Sequence, residues 1–161
     1  MKTKILKRYV FEGLGFPVLL RNVPTVLIRG ELVPDINYNT LQKTVLLQLC
    51  HKQSPLTGNE IKFIRKYFEL TLTEFGEKFG FSHVSILKWE KRGNRYASLE
   101  PTTDVCIRLF VFSHLRSNGN AFRQLYNDLD IPKLAKIQKG HLSTTAKPIA
   151  IDLQDDIKIV A

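Results

Sequence analysis

The residues whose types and spacing point to a function lie between Ser82 and Arg95. A short helix starting after Ser82 carries Ser82, His83, Ser85 and Lys88 on one face, with Val84 and Leu87 partly exposed beside them. Lys91, Arg92 and Arg95 follow in a turn that contains Gly93. This set offers hydrogen-bond donors, acceptors and positive charge, the chemistry of recognition rather than of bond making. An exposed polar face on a short helix in a basic protein is what insertion into a DNA major groove requires.

Such a face has to be held by its neighbours. A helix over 72–79 begins at Thr71-Leu-Thr-Glu74, where Thr71 and Glu74 can satisfy each other's orphan backbone donors. Gly80-Phe-Ser82 then makes a sharp turn, and Ser82 is a natural N-cap for a helix over 82–91. Two short helices joined so tightly need a small residue where they cross, and Gly76 occupies that place. Phe75, Phe79, Ile86 and Trp89 have the spacing to fill the space between these helices and a preceding one over 59–69, striped with Ile61, Ile64 and Phe68. Further helices are predicted over 102–116, with Val105, Leu109, Phe112 and Leu115 facing a core, and over 121–129.

The segment Leu70-Thr71, Gly76, Gly80 and Ile86-Leu-Lys-Trp89-Glu90 resembles the helix-turn-helix of lambda-repressor-like (XRE-family) regulators. The likeness covers about 40 residues closely and 57–115 more loosely, and it implies a five-helix domain. The Gln usual at the start of the second helix is Leu72 here, and the usual mid-helix Ala is Gly76, at a cost of about 1 kcal/mol in helix propensity. The resemblance further implies a structural ion pair between Arg65 and Glu90. On this reading His83 and Lys88 contact base edges and Val84 packs on a thymine methyl. Ser82, Ser85, Lys91, Arg92 and Arg95 grip phosphates without reading sequence, while Trp89 belongs to the core.

Composition supports the same class. The 161 residues hold 24 Lys and Arg against 15 Asp and Glu, a net charge of +9 that attracts polyanions. The excess sits in 1–52 and 53–126, whereas the remaining residues are neutral. Cys50 and Cys106 form no C-x-x-C pair and read as small buried hydrophobes. No zinc-ligand spacing, P-loop, dinucleotide fingerprint or G-x-S-x-G elbow occurs, so neither metal, cofactor nor enzyme activity is expected. No apolar run reaches the roughly 18 residues that span a bilayer, and a charged start replaces a signal peptide, so a cytoplasmic protein is expected.

The predicted organisation has three parts. Residues 1–52 form a small β-rich unit ending in a helix, with Tyr9, Phe11, Val18, Leu20, Val26 and Ile28 as its core. Residues 53–131 form the helix-turn-helix domain, and 132–161 a linker and tail with strand-like patterns at 149–153 and 157–160. The fold class is therefore mainly α, a five-helix domain with a small β-containing N-terminal extension and a β-like tail. Its expected function is sequence-specific transcriptional regulation as a repressor. Double-stranded DNA and a second copy of the chain are the expected partners, because small DNA-binding domains gain specificity as dimers on paired half-sites. The β-rich unit ahead of a helix-turn-helix also resembles MqsA-type antitoxins of toxin–antitoxin modules, although the N-terminal zinc cysteines of that group are missing. That resemblance implies a toxin protein as an alternative partner, and an N-terminal basic set (Lys2, Lys4, Lys7, Arg8) turned to DNA is the pattern expected without one.

Overall fold

Strand-forming residues dominate the chain up to Pro34. The computed structural model describes residues 4–115, 119–140 and 145–157. Strand β1 (Ile5–Phe11) pairs antiparallel with the long β2 (Val18–Ile28), placing Tyr9 opposite Leu20 and Phe11 opposite Val18. Strand β3 (Glu31–Pro34) returns along the far end of β2 through Arg29-Gly30. Both of those residues have positive φ, the conformation a two-residue hairpin loop demands. The tail supplies β4 (Ala150–Asp152), which runs parallel to β2 with Ile151 beside Leu20. A four-stranded mixed sheet results.

Helix α1 (Tyr38–His51) follows, with Asn37 accepting from the Thr40 amide at its start. The others are α2 (Gly58–Tyr67), α3 (Leu72–Phe79), α4 (His83–Glu90), α5 (Pro101–Leu115), α6 (Gly119–Asp128) and α7 (Ile131–Gly140). The expected mainly α class with five helices is therefore incorrect. Among the described residues there are seven helices and a mixed sheet, an α/β fold. None of these helices is long and apolar enough to cross a membrane.

The chain divides into two compact units, 1–48 with 148–161, and 49–147. The division falls inside α1 rather than at residue 52, and the segment 132–161 is shared between the units. Its first part is helix α7 and not a linker. Asp130 accepts from the Lys133 amide at the head of that helix, Pro132 sits in its first turn where no amide is needed, and Leu134 is buried. The strand-like pattern at 157–160 lies almost wholly outside the described residues.

In the sheet unit Val18, Leu20, Val23, Leu14, Phe16 and Ile151 are buried, whereas Tyr9 and Phe11 are half-buried. Val26 and Ile28 were expected in the core, yet Ile28 is 50 % exposed. The reason is topological: β4 and β1 flank β2 only up to Pro24, and beyond it the hairpin continues as two strands. In the helical unit the core takes Leu56, Ile61, Ile64, Phe75, Ile86, Val105, Ile107, Val111 and Phe112. Leu109 and Leu115, expected among them, are half-buried.

Candidate nucleic-acid interface

The candidate interface is built from α2, α3 and α4. Helix α3 starts with the reciprocal bonds its sequence predicts: the Glu74 amide donates to Thr71 Oγ1 at 3.1 Å, and the Thr71 amide to Glu74 Oε2 at 3.0 Å. It stops at Gly80, whose φ of 80° and ψ of 32° give the left-handed cap that glycine adopts without penalty. The Phe81 amide then closes the turn on the Gly76 carbonyl at 2.8 Å. A Cβ on Gly76 would stand 2.3 Å from the Phe81 carbonyl oxygen, so the turn folds directly onto the space that a larger residue would occupy. Ser82 caps α4 by accepting from the Ser85 amide at 3.3 Å.

From this anchorage α4 presents two faces. Ile86 and Glu90 are buried, while Ser82, His83, Val84, Leu87 and Lys88 are exposed and Ser85 is half-buried. The eight residues of α4 span about 12 Å, comparable with the width of a B-DNA major groove. Phe75 is fully buried, but Phe79 and Trp89 are only half-buried, Trp89 meeting Phe81 edge-to-face at 4.8 Å between ring centres.

Arg65 joins the three helices. Its Nε and Nη2 donate to the two oxygens of Glu90 at 2.5 and 3.0 Å, and its Nη1 to the Leu70 carbonyl at 3.0 Å. The far end of α4 is fixed by another close approach. A Cβ on Gly58 would meet the Trp89 carbonyl oxygen at 2.3 Å, and the Gly58 and Asn59 amides donate to the carbonyls of Arg95 and Gly93.

The basic residues after α4 are not equivalent. Lys91 is exposed. Arg95 is exposed too, with its Nε donated to the Arg92 carbonyl at 3.2 Å and its backbone bridged to Thr145. Arg92 is half-buried and donates from Nε to the Tyr96 carbonyl at 3.1 Å, so its guanidinium serves the turn as well as any external anion. In the other unit Lys4, Lys7 and Arg8 are exposed on or beside β1, and Lys2 lies outside the described residues.

Sequence reasoning missed the polar lattice beneath this platform. Arg108, fully buried on α5, binds Asp104 Oδ1 at 2.5 Å and donates to the carbonyls of Lys52 and Ser54. Asp104 Oδ2 accepts from the Leu56 amide at 2.9 Å. Lys52 reaches both oxygens of Glu60 at 2.8 Å, and Glu60 closes a capping box with Thr57 at the start of α2. The segment between α1 and α2 is thus tied down by Arg108, Asp104 and Glu60. Two signals were available: Thr57-x-x-Glu60 has the capping-box spacing, and Asp104 and Arg108 are i,i+4 on one helix. Cys50 is buried as expected, its thiol donating to the Arg108 carbonyl, and burial pushes its pKa up to about 12. Cys106 was expected to be buried and is exposed.

Set against protein-family models, curated proteins and solved structures, the chain matches none.

Proposed function

We propose that this protein is a cytoplasmic, sequence-specific DNA-binding repressor of the XRE helix-turn-helix type that inserts α4 into the major groove. The observation that carries the reading is the two-sidedness of α4. Ile86 and Glu90 are locked inward by packing and by Arg65, which leaves His83, Val84 and Lys88 free to face a partner. Lys88 and His83 contact base edges, Val84 a thymine methyl, and Lys91 and Arg95 the phosphates, with Ser82 and Ser85 at the helix start. The positive balance of 53–126, eleven basic residues against seven acidic, supplies the attraction to backbone. A dimer on paired half-sites belongs to this reading.

A second reading is favoured by the hairpin of β2 and β3. Val26, Leu27, Ile28, Leu32 and Val33 are all exposed there, an apolar ribbon of the kind that protein partners cover. On that reading the sheet unit of an antitoxin-like protein holds a toxin while the helical unit regulates transcription.

The test is binding to a duplex from the protein's own upstream region, against a scrambled duplex, across a salt series. Preference for the native duplex at physiological salt is expected. Lys88→Ala relaxes selectivity at particular base pairs, whereas Lys91→Ala weakens both duplexes alike and flattens the salt slope by about one. Equal binding to both duplexes, or operator preference untouched by Lys88→Ala, refutes the assignment of this face.

A further inference from the structure

Beside α3, on the side formed by α5, the helical unit holds a cleft of about 510 Å³ lined by Lys78, Phe79, Thr102, Thr103, Cys106 and Phe110. The volume lies within the range of small-molecule sites. Its walls are chemically divided. Phe79 and Phe110 meet edge-to-face at 5.6 Å between ring centres, and Phe110 continues into Phe68 and His114. The Lys78 ammonium lies 5.3 Å from the centre of the Phe110 ring. Among the described residues Lys78 has no carboxylate partner.

Thr102 and Thr103, which also line the cleft, lie in the first turn of α5, where backbone amides have no acceptor within the helix. The 15-residue helix also brings the positive end of its dipole to this place. Asp104, the residue after Thr103, is buried and taken up by Arg108 and the Leu56 amide. A lysine without a carboxylate partner among the described residues, two hydroxyls, a helix start and an aromatic wall, with no acidic residue in the lining, fit an aromatic anion.

We infer that this cleft is a binding site for a small aromatic carboxylate, whose ring lies against Phe79 and Phe110 and whose anionic group is held by Lys78 and the Thr102–Thr103 turn. The site stands on its own geometry. Its consequence for DNA, through the packing of α3 on α4, rests on the function proposed above.

Cys106 provides the readout, because it is exposed and lines the cleft. Cys50 is buried and its thiol stays protonated at moderate pH, so iodoacetamide labelling at pH 8, located by peptide mass, reports Cys106. The full-length protein is labelled with 1-naphthoate or with 1-naphthamide, its neutral counterpart. Naphthoate is expected to protect Cys106 at a concentration about fivefold lower than naphthamide, the difference a surface charge contact supplies. Lys78→Gln, a change at an exposed helix position, is expected to erase that difference. Failure of naphthoate to protect Cys106 overturns the site. Equal potency of the two compounds, or an advantage that survives Lys78→Gln, overturns the anion assignment. No DNA enters the assay, so its outcome is separate from the fate of the DNA-reading proposal.

Discussion

Replacing Gly76 by alanine sets two effects of known size against each other. In an exposed helix interior the change stabilises by about 1 kcal/mol, because alanine has less backbone freedom to lose. At this position the new Cβ stands 2.3 Å from the Phe81 carbonyl oxygen and 3.3 Å from the Ser82 carbonyl carbon. Those are main-chain atoms of the turn, with no side-chain rotamer to absorb the contact. Relief requires the turn to retreat by about 1 Å, at the 1–3 kcal/mol typical of overpacking. The same retreat stretches the 2.8 Å bond from the Phe81 amide to the Gly76 carbonyl, worth about 1 kcal/mol more. Crowding wins, and Gly76→Ala is expected to destabilise the helical unit by about 2 kcal/mol. The protein's single tryptophan, Trp89, packs on Phe81 beside this turn, so denaturant unfolding followed by its fluorescence reads the affected region directly. Gly80→Ala is the companion variant: nothing lies within 4 Å of its Cβ, and its cost of about 1 kcal/mol comes from the φ of 80° alone. A midpoint that rises in Gly76→Ala refutes the close approach and with it the packing of α4 on α3.

Two further perturbations test the supports of the site. Arg65→Met strands Glu90, whose side chain is 7 % exposed, and is expected to cost about 3 kcal/mol; pairing it with Glu90→Leu recovers most of that loss, and additive losses in the double-mutant cycle contradict a coupled pair. Burial raises the Cys50 thiol from 9.0 to about 12, so the stabilisation from keeping it protonated is complete below pH 9 and is lost as pH rises toward 12; Cys50→Ala is expected to flatten that alkaline decline, and an unchanged profile places the thiol in water.

Much of the platform was legible in the sequence because its signals are local. The capping box of Thr71 and Glu74, the left-handed stop at Gly80 and the cap at Ser82 act within four residues of one another, so spacing alone locates α3 and α4. The exposed face of α4 follows from its period once Ile86 is taken as inward. Helix α7 escaped because one buried residue, Leu134, leaves its apolar stripe thin among lysines, although Asp130 and Pro132 mark its start. Gly76 is legible as the small residue at the helix crossing, in a place where the related pattern accepts alanine. That even an alanine Cβ is crowded there shows only when the Phe81 carbonyl is seen against it.

By itself, then, the sequence determined the short helices, their caps and the polar face of α4, since these depend on neighbours within a turn or two. Tertiary structure alone decided that the tail strand joins β2 across about 130 residues, making the fold α/β. It alone decided that Val26 and Ile28 stand beyond the flanking strands, and that Lys52, Glu60, Asp104 and Arg108 form a buried lattice. The ion pairs themselves are near in sequence, but Arg108 reaches the Lys52 and Ser54 carbonyls, and Asp104 the Leu56 amide, across 48 to 56 residues, and no periodicity records such distant partners.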